Sequence, residues 1–156
     1  MQSLGFYGIE HSIIDISDDL INKILNLSET LPSLHRSNKG GWQGLFQVDD
    51  LEWFAPTLNT IKSLLPEYYI HSCWFNINGP GHYNAWHRHT PRELVGVLYL
   101  QVPEDSGSIL FRERGVPKRF HPIAGQLITF SGSLEHCVLE NKSLENRISV
   151  AINFEK

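Results

Sequence analysis

The stretch Asn84–Leu100, NAWHRHTPRELVGVLYL, sets His87 and His89 one residue apart, just ahead of an apolar run. The segment ELVGVLYLQV that follows is rich in β-branched and aliphatic residues and bounded by turn formers, which is the texture of a strand. If NAWHRH is extended as well, residues two apart share a face. His87 and His89 then project together, while Trp86 and Arg88 point the other way. Two neutral imidazoles side by side suit Fe, Zn, Cu or Ni. A bare HxH is a weak signal, because strand histidines are more often half-buried polar residues and this chain has 8 of them. His11, His35, His71, His82 and His121 gain no role by this argument, so the surroundings of the pair have to decide.

Working outward, YIHSCWFNIN, GSILFRE, QLITFS and RISVAINF are further short β-rich runs, separated by Gly, Pro, Ser, Asp and Asn. Nothing between them reads as helix. Upstream the texture differs. In ISDDLINKILNLSET, Ser17 is the expected N-cap, with acidic residues in the first turn. Leu20, Ile21, Ile24 and Leu25 form one apolar face, and Ile16 serves as a staple residue. A second helix is expected in DDLEWFAPTLNTIKSLLPEYY, started or kinked by Pro56 and stopped by Pro66. Between the two, SNKGGWQGLFQVDD is polar and glycine-rich and reads as a loop. The expectation is a mainly β fold with N-terminal supporting helices, either an all-β sandwich or a jelly-roll barrel (a cupin-like double-stranded β-helix). It is read as one domain over 1–156, with helical support mainly in 17–66 and the barrel core in 68–154.

Composition agrees with an ordinary globular chain. Its 156 residues suffice for one buried core, and neither the 41% hydrophobic nor the 19% charged content points to disorder. A net charge of -4 gives no electrostatic reason to expect nucleic acid as a partner. RERGVPKR (Arg112 to Arg119) is interrupted by Glu113 and reads as a solvated loop. Cys73 and Cys137 have no CxxC partner and read as buried free thiols. The N-terminal MQSLGFYGIEHSII lacks a basic leader region, and no apolar run is long enough to span a bilayer. The reading is a soluble, cytoplasmic protein with no membrane partner; its oligomeric state is not legible.

Two further features bear on the histidine pair. In SGSLEHCVLENKS, His136 follows the strand QLITFS by a few residues, so a turn can bring it across a barrel to complete a three-point face. Gly81 and Gly125 supply bends into strands ahead of His87 and His136 respectively. Glu93, four residues after His89, is a possible further ligand, and this layout is close to the spacing of the cupin metal motif. In NRISVAINF, alternation puts Arg147, Ser149 and Ala151 on one face, with Ile148, Val150 and Ile152 on the other. A guanidinium buried in the barrel needs an anion, since leaving it unpaired costs about 3–5 kcal/mol. A ligand carboxylate can pair with it bidentately, with Ser149 donating one further bond and Tyr99 within reach. A dicarboxylate stretched between a metal and Arg147 is what 2-oxoglutarate requires.

The order WFNIN, GHYNAWHRH, LVGVLYLQVP, GSILF, PIAGQLITF, His136, RISVAINF resembles the Fe(II)/2-oxoglutarate-dependent oxygenase superfamily. It is most similar to a group of small members from bacteria and phages that carry a GGW element, here Gly40–Gly41–Trp42, ahead of the barrel. The resemblance covers roughly Gly40 to Phe154. It implies Fe(II) as the metal and 2-oxoglutarate as cosubstrate, with His87 and His136 at the first and distal ligand positions. It further implies that Arg147 and Ser149 grip the distal carboxylate of 2-oxoglutarate, assisted by Tyr99. His89 departs from the pattern, standing where the wider superfamily has Asp or Glu. It is kept as the third metal ligand, with Glu93 as the other source of a carboxylate. The implied reaction is hydroxylation of a C–H bond, releasing succinate and carbon dioxide. The substrate is read as a small molecule or a protein side chain. Trp42 is placed near the entrance, and Asn76, Asn78 or Asn84 are candidates for orienting the imidazoles. The competing readings are a cupin-type enzyme that does not use 2-oxoglutarate and a non-catalytic jelly-roll binding module.

Overall fold

The computed structural model describes residues 1–47 and 50–156. Twelve strands are described: β1 (Gln2–Ser3), β2 (Glu10–Ile13), β3 (Asn38–Lys39), β4 (Trp42–Phe46), β5 (Tyr69–Asn78), β6 (Tyr83–His87), β7 (Leu94–Gln101), β8 (Ile109–Glu113), β9 (Val116–Phe120), β10 (Gln126–Ser131), β11 (Glu135–Val138) and β12 (Arg147–Glu155). Two helices, α1 (Leu20–Ser28) and α2 (Ala55–Leu64), interrupt them in the first half. The strands form a seven-stranded sheet, β1-β2-β10-β7-β12-β5-β4, and a five-stranded sheet, β3-β6-β11-β8-β9. Every pairing is antiparallel. Two facing antiparallel sheets with helices on one side make a double-stranded β-helix, as the strand texture predicts.

Period-two alternation assigns each face of the larger sheet. Cys73, Phe75 and Ile77 of β5 and Ile148, Val150, Ile152 and Phe154 of β12 join Leu20 and Ile24 of α1 and Leu58 and Ile61 of α2 in one buried cluster. Burying such side chains stabilises by roughly 1.5–3 kcal/mol each. This cluster fastens the helices to the outer face and leaves the opposite face of β5, β7 and β12 to line the barrel. A second cluster, including Val95, Tyr99, Ile109, Phe111, Ile128 and Phe130, fills part of that interior.

Several local expectations need correction. Ser17 does not cap α1: the helix begins at Leu20, Asp19 is the cap residue without a side-chain cap bond, and the first turn holds no acidic residue. Asp19 is already engaged by the Ser17 hydroxyl and by Lys23 at 2.9 Å, so it has no acceptor to spare for the helix end. The second helix matches more closely, with Pro56 in its first turn and its end at Leu64, two residues before Pro66. SNKGGWQGLFQVDD is not a loop, because it contains β3 and β4 (Val48 and Asp49 within it lie outside the described residues). Gly40 and Gly41, at φ 74° and 72°, let the chain pass from one sheet to the other. At Gly41 a Cβ would sit 2.6 Å from the carbonyl of Ile77. RERGVPKR is solvated yet structured: β8 and β9 pair through a turn at Arg114 and Gly115, and most of β9 is exposed. Cys73 and Cys137 are free and buried, and burial pushes the Cys73 thiol up to about 12. Among the described residues no helix is long and apolar enough to cross a membrane.

Candidate metal centre

His87 closes β6, and His136 lies directly opposite it on β11. A cross-strand pair in an antiparallel ladder holds its side chains close together, and here the ring centroids are 4.2 Å apart. His89 arrives differently from the expectation of one continuous strand. It lies beyond the end of β6, where its backbone N–H donates to the Gly132 carbonyl at 2.8 Å. Gly132 N–H in turn donates to Glu93 O at 2.9 Å. The loop after His87 is therefore laced to the turn before His136. His89 stacks on Trp74 at 5.8 Å with 14° between ring planes. Turn lacing, rather than strand pleat, brings the third imidazole in. The ligand atoms of His87, His89 and His136 all lie within 4.8 Å of one another.

Hydrogen bonds fix the protonation pattern of the three rings. Nδ1 of His87 faces Ala85 O at 2.7 Å, and Nδ1 of His136 faces Leu134 O at 3.0 Å. A carbonyl only accepts, so each Nδ1 carries the proton and each Nε2 keeps its lone pair. Nδ1 of His89 meets Asn153 Oδ1 at 2.8 Å. Burial pushes all three rings below the usual imidazole range, with His136 at about 3, and the neighbouring His87 lowers both His89 and His136 further. Three neutral imidazoles with free Nε2 atoms form a donor set suited to a divalent transition metal. Asn76, Asn78 and Asn84 do not orient these rings, because two backbone carbonyls and Asn153 occupy that role. Glu93 stands apart from the triad. Its carboxylate accepts from Thr90 N–H and lies 3.8 Å from the outer nitrogen of His89, in a separate group with His71 and Glu155.

One cavity of about 50 Å³ is lined by all three histidines together with Tyr99, Arg147 and Ser149. Arg147, Ser149 and Ala151 lie on the inward face of β12, and Tyr99 pairs with Ser149 from β7. Arg147 is 4% exposed. Among the described residues no carboxylate comes within ion-pair distance of it. Its guanidinium lies 5.2 Å from the Tyr99 ring centre, and its Nε and the Tyr99 hydroxyl both lack a hydrogen-bond partner among the described residues. Burial lowers the Arg147 pKa and raises that of Tyr99 to about 12. Buried polar atoms without partners are rare in folded proteins and point to a missing ligand. A guanidinium N–H and a phenolic O–H both call for an acceptor. Three convergent imidazoles and one buried guanidinium thus line a single cavity.

A wider groove of about 820 Å³ opens beside His87 and His89, bordered by Trp74, Trp86, Arg36 and Arg88. Trp42, expected near this entrance, packs instead on the helix side of the sheet and donates to Leu31 O at 2.9 Å. Of the polar groups between the imidazoles and Arg147, Gln43 and Ser37 escaped the sequence reading, while Asn76 and Asn84 bond to these two rather than to the rings. Gln43 on β4, Asn84 on β6 and Ser37 form a hydrogen-bonded chain with Asn76. Asn153 had a legible signal, since it continues the two-residue alternation of Arg147, Ser149 and Ala151.

No protein-family model matches the chain, and no curated protein matches it. Solved structures do. A Pseudomonas putida prolyl-4-hydroxylase superposes with a TM-score of 0.73 at 21% identity, over 98% of this chain and 95% of the other. A 2OG-Fe(II) oxygenase family oxidoreductase from Burkholderia pseudomallei gives 0.70 at 17%, over 95% and 85%. The viral collagen prolyl hydroxylase of Paramecium Bursaria Chlorella virus-1, in complex with 2OG, gives 0.70 at 18%, over 96% of each chain. The chain has the double-stranded β-helix fold of the 2-oxoglutarate-Fe(II) oxygenase structures.

Proposed function

We propose that this chain is a non-haem Fe(II)- and 2-oxoglutarate-dependent dioxygenase. Its reaction is hydroxylation of a C–H bond in a small molecule or a protein side chain, with release of succinate and carbon dioxide. The observation that carries this reading is a buried guanidinium that has no carboxylate partner among the described residues and lines the same cavity as three convergent imidazoles. His87, His89 and His136 would hold the iron. Arg147, Ser149 and Tyr99 would hold the distal carboxylate of 2-oxoglutarate. Bound iron and cosubstrate supply the activation of dioxygen. The chain's own residues bind, orient and exclude water. Outer hydrogen bonds keep each Nδ1 protonated and each Nε2 directed at the metal. Val95, Val97 and Ala151 line the cavity with apolar surface. In that surrounding the Arg147 charge acts with little screening. The groove beside His87 and His89 is the entry for the molecule to be oxidised.

Anaerobic addition of Fe(II) and 2-oxoglutarate should give a visible charge-transfer band. Arg147→Ala should lose the band while retaining bound iron, and His136→Ala should lose the iron. A wild-type protein that binds iron but shows no band would reject 2-oxoglutarate. A cupin-type reading would then remain, favoured by the all-histidine ligand set, with Arg147→Ala leaving the metal chemistry unaltered. If no divalent ion binds at all, a non-catalytic module remains.

A further inference from the structure

His89 is the ligand least supported by the sheet. His87 and His136 each lie on a strand, with the carbonyl two residues upstream holding Nδ1. His89 lies beyond β6 and takes its outer partner from a different strand, 64 residues away. That partner, Asn153, continues the inward face of β12 beyond Arg147, Ser149 and Ala151, and is 8% exposed. Its Nδ2 donates to Ser72 Oγ at 3.1 Å, with Oδ1 turned toward the imidazole. Only Oδ1 is presented to His89, at 2.8 Å. The ring is therefore locked with its proton on Nδ1 and its lone pair on Nε2. Glu93, 3.8 Å from the same nitrogen, is beyond hydrogen-bonding distance and is occupied by Thr90.

We infer that Asn153 is a positioning residue of the metal site. It holds His89 as an Nε2 ligand by keeping the ring proton on Nδ1, and Ser72 holds Asn153 in turn. One strand then serves both ends of the cavity, with Arg147 for the anion and Asn153 for the metal. The inference rests on the metal reading given above and deepens it. It concerns affinity and coordination, not the identity of the substrate.

The test uses Co(II) alone, titrated into the metal-free protein and followed by calorimetry and by visible absorption. Asn153→Leu should weaken Co(II) binding by about 10–100-fold, the usual effect of removing an outer partner of a ligating histidine, and should shift the Co(II) absorption. Asn153→Asp returns an acceptor to the same place and should restore both affinity and spectrum. Glu93→Gln should leave both unchanged. The inference is overturned if Asn153→Leu binds Co(II) as the wild type does. It is overturned equally if Asn153→Asp is as weak as Asn153→Leu, or if Glu93→Gln reproduces the loss. Should Asn153→Leu fail to fold, Ser72→Ala decides, since it frees the amide to turn. Weakened Co(II) binding at unchanged melting temperature supports the inference, and unchanged binding overturns it. A wild-type protein that takes up no Co(II) would instead bring down the metal reading, and this inference with it.

Discussion

Replacing Arg147 with Met separates the cost of a buried charge from its use. Methionine keeps much of the unbranched stem while removing the guanidinium. In the ligand-free protein that guanidinium is buried and, among the described residues, meets no carboxylate. An uncompensated buried charge costs about 3–5 kcal/mol. The Tyr99 ring at 5.2 Å returns about 0.5–2 kcal/mol through its π-face. The charge term therefore favours the variant by about 1–4.5 kcal/mol, in line with buried ionic groups replaced by apolar ones of similar volume. Each kcal/mol is worth roughly 2–4 °C in a domain of this size, so the ligand-free variant should melt several degrees above the wild type. With Co(II) present, 2-oxoglutarate at about 100 times its Kd should stabilise the wild type by about 2.7 kcal/mol and the variant hardly at all. Thermal melts of both proteins, with and without 2-oxoglutarate, give the comparison. A ligand-free variant that melts several degrees below the wild type would refute the reasoning, because the guanidinium would then already be satisfied in the empty protein.

Acid should weaken the metal-free protein through its histidines. His136 titrates at about 3 when folded against an ordinary value of 6.5, so the unfolded chain binds the proton first as pH falls. The stabilisation is complete above about pH 6.5 and is lost towards pH 3 at up to about 1.4 kcal/mol per pH unit for one such group. Urea titrations at several pH values should show this slope, and His136→Leu should flatten it. Gly132→Ala should part the two loops that carry the ligands. Its Cβ would meet Thr90 O at 2.1 Å and Glu93 O at 2.9 Å, both backbone atoms. Overpacking of this kind costs about 1–3 kcal/mol, and Co(II) affinity should fall along with the melting temperature.

Much of the barrel was legible because its strands are buried on a fixed face. In β12, alternation alone separates Ile148, Val150 and Ile152 from Arg147, Ser149 and Ala151, and the structure keeps that division. The strand β4 was not legible. Gln43 is polar yet 4% exposed, because its amide bonds to Ser37 and Asn76 inside the barrel rather than to solvent, and Gly40 and Gly41 read as a loop signal although they sit between strands of different sheets. The convergence of the histidines was foreseen for a partly mistaken reason. The HxH spacing suggested a shared strand face, whereas His89 is placed by long-range bonds to Gly132 and Asn153 that no local pattern encodes. The outer partners of His87 and His136 are backbone carbonyls, which every residue has, so no side-chain signal could identify them.

Strand β12 lies between β7 and β5, which do not pair with each other. During translation, residues 69–101 therefore emerge with a gap at the middle of their sheet, and only residues 147–155 can fill it. Closing ladders across such sequence separations is slow, and open strand edges invite wrong partners while they wait. The same late segment brings Arg147, Ser149 and Asn153 to the cavity. A chain short of that segment would thus lack the guanidinium of Arg147 in the cavity and the Asn153 contact to His89, so the pocket would be complete only when the sheet is sealed.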